Sequence, residues 1–150
     1  MLTLIVYVAS FIAVCLFIYI ARALYQLEKI RNRLRQLLSV QLTLSGVNDD
    51  TEFDPISDVF ITGYVIKFAC DFADINQFNN RWGLVHAALK LVFGKKAPKM
   101  SQTEDFANNF DSDGFIQGVD CAENDLKMFM AAGTPTLSLL MHIKKTYSSQ

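Results

Sequence analysis

No charged side chain occurs in this chain before Arg22. The uncharged run, LTLIVYVASFIAVCLFIYIA, covers residues 2–21. As a helix of about 1.5 Å rise per residue it spans roughly 30 Å, the thickness of the hydrocarbon core of a bilayer. Tyr7 and Tyr19 lie near its two ends, where amphipathic rings prefer the membrane interface. The sequence therefore predicts a transmembrane helix over residues 1–21.

A secretory signal peptide is the main alternative for this run. Such a peptide has a basic start, a shorter apolar core and a cleavage site between small residues. The run lacks the basic start, is too long, and has no convincing cleavage site. A retained transmembrane helix is the favoured interpretation. A signal sequence and a hairpin partner buried in a larger assembly stay open as alternatives.

Proline and glycine are absent from residues 2–45. Because these two residues are the strongest helix breakers, their absence predicts one continuous helix that leaves the membrane as a neck, residues 22–45. The helical pattern extends to about Leu38. Beyond it, apolar and polar residues alternate over Val40–Leu44, which is a weak strand signal, and Gly46 ends the segment.

The neck begins with an excess of positive charge. Over residues 22–36, Glu28 is the single acidic residue against five basic ones. The membrane-flanking basic residues are Arg22, Lys29, Arg31, Arg33 and Arg35. Since positive residues beside a span stay on the cytoplasmic side, we expect the N-terminus outside and the C-terminal domain in the cytoplasm. The lipid bilayer is then the first predicted partner.

Four apolar neck residues repeat with the 3, 4, 3 spacing of a coiled-coil seam: Leu27, Ile30, Leu34 and Leu37. One hypothesis is that this seam binds another helix, from a second copy or from a protein partner. The other is that it packs on the protein's own domain, while the arginines only obey the topology rule and contact lipid head groups. Two heptads are too few to decide between the two.

The rest of the chain has little that would support nucleic-acid binding or a disulfide framework. Outside the neck it carries nine basic and fourteen acidic residues. This net negative charge does not favour binding to nucleic acid, which is itself negatively charged. The three cysteines, Cys15, Cys70 and Cys121, are far apart, so a reducing compartment fits best. There is no C-x-x-C, no H-E-x-x-H and no G-K-[ST]. We therefore expect no cofactor and no enzymatic activity.

The C-terminal residues are predicted to form a small helical domain. Residues 46–54 are polar and acidic and indicate a linker, and residues 55–150 follow as the domain. Helix starts are predicted from capping patterns and from proline at the first helical position. The predicted starts are Asp54–Pro55, Asp74 with Gln77, Ser101 with Glu104, Asp120 with Glu123, and Thr134–Pro135. Helix ends are predicted at Gly94 and Gly133, and Gly63 is expected to mark a close helix crossing. The fold class is therefore all-α, with a transmembrane helix, a neck, and four or five helices.

The segment NFDSDGFIQGVD, residues 109–120, resembles the calcium loop of EF-hand proteins. The candidate metal ligands are Asn109, Asp111, Asp113 and Asp120. The segment departs from the pattern at both ends, because Asn replaces the first Asp and the shorter Asp replaces the final Glu. An ordinary polar turn before a helix is the alternative. The surrounding stretch, residues 100–126, carries seven acidic residues and no basic one, which indicates a solvated face or a contact for a basic partner.

The predicted function is non-enzymatic. The chain would be a single-pass membrane subunit or adaptor that presents a small helical domain at the cytoplasmic membrane face for protein–protein assembly. The alternative is a calcium-responsive membrane sensor that acts through residues 109–120.

Overall fold

Six α-helices and two short 3₁₀ turns make up the regular structure. The computed structural model describes residues 2–46, 53–133 and 137–147. The helices are α1 (Leu2–Leu44), α2 (Val59–Ile75), α3 (Arg81–Phe93), α4 (Thr103–Asn108), α5 (Asp113–Ala132) and α6 (Ser138–Tyr147), and the 3₁₀ turns are Gly94–Lys96 and Met100–Gln102. No strand occurs in these three ranges. The all-α prediction is confirmed, with a long apolar N-terminal helix followed by a small helical domain.

The chain divides into two units, and the boundary lies within α1. The first unit ends at Asn32, and the second runs from Arg33 to the C-terminus. We call the second unit the body. It includes the last turns of α1, which the sequence analysis assigned to the neck. The predicted linker, residues 46–54, lies mostly outside the described residues, because 47–52 are not among them.

The first unit contains the apolar run. Every described side chain from Val6 to Lys29 is exposed. Among the described helices, α1 alone is long and apolar enough to cross a membrane, with a mean hydropathy of 2.1 in its most apolar 18-residue window. That criterion rests on length and composition, and a signal sequence near an N-terminus meets it too.

The C-terminal part of α1 differs from the structure predicted from the sequence. Val40–Leu44 is helical, although its alternation indicated a weak strand. The buried residues from Leu34 on are spaced at the period of a helix, and Gln41 stands among them as a polar residue on an inner face. The helix ends just before Gly46, whose φ of +71° suits glycine.

Helix α2 is the centre of the body. Most of its residues are buried, on all sides, as its apolar sequence predicts. Its predicted start at Pro55 is wrong, because α2 begins at Val59. Asp54 instead closes a separate turn, where its Oδ1 accepts hydrogen bonds from the backbone N–H groups of Ile56 (2.9 Å) and Ser57 (3.3 Å). These bonds lower the pKa of Asp54.

Helix α3 begins later than predicted and ends where predicted. The capping pattern of Asp74 and Gln77 does not open it, because α2 continues to Ile75. Asn80 provides the cap, with its side-chain oxygen accepting from Gly83 N at 2.9 Å. The helix stops at Gly94, as predicted, and the φ of +54° there favours glycine.

The starts of α4 and α5 also differ from the prediction. Helix α4 begins at Thr103, two residues after the predicted Ser101. Its N-cap residue is Gln102, whose side chain forms no capping hydrogen bond. Helix α5 begins at Asp113, seven residues before the predicted Asp120, because Ser112 Oγ accepts the N–H of Phe115 as a cap. The predicted stop of α5 at Gly133 is confirmed, and Thr134–Pro135 lies outside the described residues.

Two glycines allow α2 and α5 to pack against each other at close range. A Cβ added at Gly63 would lie closer than 3.0 Å to the carbonyl oxygen of Phe115, and one at Gly118 would lie as close to that of Phe60. The two helices run in the same direction, since Lys67 further along α2 is 3.7 Å from Glu123 of α5. The expectation that Gly63 marks a close helix crossing is confirmed.

The close crossing predicts that a Gly→Ala substitution lowers the stability of the body, although such a substitution usually raises the stability of a helix. Gly→Ala inside a helix ordinarily stabilises it by about 1 kcal/mol. Gly118→Ala should instead destabilise the body by about 1–3 kcal/mol, because the new methyl group meets the backbone of α2. Thermal unfolding of the full-length protein in detergent, followed by circular dichroism, measures this. Gln117→Ala on the exposed face is the control, and an unchanged midpoint for Gly118→Ala would contradict the crossing.

Candidate functional site

The predicted neck seam is divided by the structure. Leu27 is 38 % exposed, whereas Leu34 is 1 % exposed and belongs to the core. Ile30 and Leu37 are half-buried. Because its side chain is already packed, Leu34 is not available to a partner, and its assignment as a partner-binding residue is corrected. For Leu27, binding to a partner stays a prediction.

The second hypothesis for the neck, packing on its own domain, describes α1 from Leu34 onward. Leu34, Leu38, Gln41 and Ser45 are all buried, and their spacing of 4, 3, 4 places them on one face of the helix. This face joins the core of the body. The predicted seam continues from Leu34 to Leu37, whereas the buried face continues from Leu34 to Leu38.

A buried polar network links this face of α1 to three other helices. Gln41 Nε2 donates to the hydroxyl of Tyr64 on α2 at 3.1 Å, and the Leu140 N–H of α6 donates to Gln41 Oε1 at 3.3 Å. The Tyr64 hydroxyl donates to Asp125 Oδ2 of α5 at 2.8 Å. All the members are satisfied within the body, which is the condition under which a buried network stabilises one arrangement.

Asp125 also holds the beginning of α6. Its Oδ2 accepts the Ser138 N–H at 3.0 Å, and its Oδ1 accepts the Ser138 hydroxyl at 2.7 Å. A carboxylate at the start of a helix interacts favourably with the helix dipole. Asp125 is 9 % exposed, so the acidic stretch is not uniformly a solvated face. Its role is structural, since every contact joins one helix to another.

The other end of α6 is held by aromatic and acidic side chains. The Tyr147 hydroxyl donates to Asp58 Oδ1, and the Tyr147 ring meets Phe53 edge-on at 5.3 Å between centroids. Burial raises the pKa of Tyr147, and the hydrogen bond to Asp58 raises it further by a smaller amount. His142 stacks on Phe60 at 3.8 Å, and burial lowers its pKa, so the ring is favoured in its neutral form. These contacts account for His142 without a metal.

An apolar groove of about 500 Å³ opens on the surface of the body. It lies between the end of α1, the ends of α2 and α5, and the residue before α6. Its apolar lining includes Leu37, Val40, Leu44, Ile75, Met130 and Leu137. Val40 is 54 % exposed and Met130 is 58 % exposed, so the apolar surface faces solvent. We refer to this feature as the apolar groove.

Among the described residues that line the apolar groove, Arg33 is the only charged one. Arg33 is exposed, and within the described part of the chain it forms no ion pair. The amide side chains of Gln36 and Asn76 also line the groove. The groove therefore combines an apolar surface with one unpaired positive charge.

A second depression of about 570 Å³ adjoins the groove and shares Ile75 and Met130 with it. Its charges differ, because its acidic residues have basic partners. Asp71 is 2.9 Å from Lys67, and Glu123 is 2.6 Å from Lys127. Lys67, Asp71 and Glu123 are half-buried and Lys127 is exposed. Ion pairs that remain in contact with solvent contribute little to stability. The second depression therefore combines apolar side chains with acidic residues whose charges are neutralised by basic residues.

The predicted membrane-flanking residues are all exposed: Arg22, Lys29, Arg31, Arg33 and Arg35. None of these five has an ion pair with another described residue. Their charges are therefore available to solvent or to lipid head groups.

The segment that resembles a calcium loop does not form a loop of twelve residues. Asn109 ends α4, Asp111 lies in the short connection, and residues 113–120 are the first turns of α5. Asp113 and Asp120 are thus separated by roughly 10 Å along one helix axis. No group of three or more His, Cys, Asp or Glu residues in the described ranges could hold a metal ion. The alternative interpretation, a polar turn before a helix, is the one that the geometry matches.

The described cysteines are free, as the sequence analysis predicts. Cys15 is exposed in the apolar run, Cys70 is buried and Cys121 is half-buried. Burial raises the pKa of the Cys70 thiol, although Arg81 opposes this shift. A thiol with a raised pKa is a weak nucleophile, so its surroundings suit packing more than chemistry.

The sequence analysis missed the network residues Gln41 and Asp125, although both carry a signal. Each is a polar residue on an otherwise apolar helix face: Gln41 follows Leu38 by three positions, and Asp125 follows Ala122 by three. Such a residue in a core must be hydrogen-bonded. The apolar groove had no comparable signal, because it is assembled from residues far apart in the sequence.

No family model, curated protein or solved structure is similar to this chain. The function is therefore argued from the residues and their geometry.

Proposed function

We propose that the chain is a non-enzymatic single-pass membrane protein that presents its helical body at the cytoplasmic membrane face, as a subunit or adaptor of a larger assembly. The observation that carries the proposal is the contrast along α1. Its first described side chains are apolar, uncharged and exposed, whereas its last turns are buried in the body.

The exposed apolar run supports a membrane anchor. Phe11, Phe17 and Tyr19 are each more than 70 % exposed, among many other large apolar side chains. A core helix of a soluble protein would be mostly buried, whereas no part of this window is. Exposing such a surface to water costs about 25 cal/mol for each Å² of apolar area, and a bilayer removes that cost. Membrane insertion is thus the favoured explanation of the run.

The charge pattern supports the orientation. The run is followed by five exposed basic residues and precedes no other apolar run of comparable length. Basic residues that flank a span are retained in the cytoplasm. The body would then lie in a reducing compartment, in agreement with the free cysteines.

The surfaces of the body support binding as its role. Every buried side-chain nitrogen or oxygen in the described part of the chain has a hydrogen-bond partner, so the interior polar groups are used for structure. The exposed apolar side chains of the body include those that line the apolar groove, and Leu27 of the first unit is exposed as well. Tethering to a membrane raises the effective concentration of such surfaces for other membrane components.

The anchor and its orientation can be tested in cells with full-length protein that carries a C-terminal tag. We expect the protein in the membrane fraction, resistant to extraction at alkaline pH, because the apolar run crosses the bilayer. We expect the tag to resist protease added outside intact cells and to be digested after permeabilisation, which is the control. Release by alkali, or digestion in intact cells, would contradict the proposal.

The assembly can be tested by extraction in mild detergent and measurement of the particle size. Leu27→Asp should reduce the size to that of a single chain, because it places a charge on the exposed part of the seam. Gln26→Asp is the matched control, since it adds the same charge at the adjacent exposed position. Leu34 is unsuitable for this test because its substitution would unfold the body. A complex that survives Leu27→Asp as well as Gln26→Asp shows that the seam is not an interface.

A further inference from the structure

We propose that the apolar groove binds an acyl chain of an anionic phospholipid from the cytoplasmic leaflet, with Arg33 contacting the lipid phosphate. The inference rests on the proposed function, because a body held at the membrane surface is the one that meets such lipids. It goes further by naming a ligand class and the residues that would recognise it.

The size and surface of the groove suit an acyl chain. Its volume of about 500 Å³ lies within the roughly 300–1,000 Å³ that is usual for small-molecule sites. Its lining is largely aliphatic, from Leu37 and Val40 on one side to Ile75 and Met130 on the other. A flexible methionine adapts well to an apolar ligand of variable shape. Filling the groove removes exposed apolar surface from water, which favours binding.

The charge of the groove suits a phosphate. Arg33 is the one charged residue in the described lining, and it has no ion-pair partner among the described residues. A guanidinium group binds phosphate oxygens through two parallel hydrogen bonds. Gln36 and Asn76 add amide groups near the same groove. Among the described lining residues there is no carboxylate, which suits an anionic head group.

The pattern of one cation and a continuous apolar surface favours an amphiphile over a protein helix. An amphipathic helix in a groove is usually bordered by polar residues along its length. In the adjoining second depression, Asp71 and Glu123 are already paired with lysines. In the sequence, Arg33 follows Arg22, the first residue after the apolar run, by eleven residues.

The test uses full-length protein in vesicles of phosphatidylcholine that contain a small fraction of phosphatidylglycerol with a photoactivatable acyl chain. After irradiation, cross-linked peptides are identified by mass spectrometry. We expect labelling of peptides that contain Val40, Ile75 and Met130, in addition to peptides of the apolar run. The same photoactivatable chain on phosphatidylcholine should label the groove peptides several-fold less, because its choline ammonium offsets the phosphate charge and weakens the attraction of the head group to Arg33.

Two pairs of variants make the test specific. Arg33→Gln should lower labelling of the groove by phosphatidylglycerol about tenfold, the loss expected for one charge-assisted contact. Lys144→Gln is its control, because it removes an equal charge from an exposed position outside the groove. Met130→Glu should lower groove labelling by either lipid. Met141→Glu, at another exposed methionine outside the groove, should leave it unchanged.

The outcomes separate this inference from the proposed function. Labelling confined to the apolar run overturns the lipid site and leaves the membrane anchor intact. Absence of labelling from the run as well overturns both. Equal labelling of the groove by the two lipids, or no effect of Arg33→Gln relative to Lys144→Gln, overturns the role of the phosphate contact. If a photoactivatable amino acid placed at Val40 instead cross-links to a co-purified protein, the occupant is a protein partner and the lipid is overturned.

Discussion

The packing of the last turns of α1 into the body is the interaction on which the rest of the structure depends. Leu34 and Leu38 fill the core, and Gln41 between α2 and α6 takes part in hydrogen bonds to both helices. Because a buried amide is costly unless both of its ends are bonded, Gln41 fixes the position of α1 against its neighbours. The helix that carries the apolar run is therefore also a structural element of the body.

This packing determines which surfaces remain for function. It uses one face of α1 and leaves the other, with Arg33 and Val40, exposed beside the ends of α2 and α5. The groove exists because those helix ends do not cover that face. The core contacts and the proposed binding surface thus lie on the two faces of one helix segment.

The sequence predicted what depends on local chemistry. The absence of charge, proline and glycine predicted a single long apolar helix, and Gly94 and Gly133 predicted two helix ends correctly. Helix starts were predicted poorly, because several Asp, Asn and Ser residues compete to cap each helix and tertiary packing selects among them. The sequence also could not predict which residues of the seam are buried and which are exposed. Leu34 is core and Leu27 is exposed, although their local sequences are alike, because burial depends on helices distant in the chain. The groove could not be foreseen for the same reason.

Amide hydrogen exchange of the full-length protein, measured by mass spectrometry, tests most directly whether the end of α1 belongs to the core. The amides of residues 36–44 should be protected to the same extent as those of 61–69 in α2, because both would open only when the body unfolds. Rapid exchange over 36–44 with continued protection of 61–69 would mean that this segment is a separate, fraying helix. The account of the body and its groove would then be wrong.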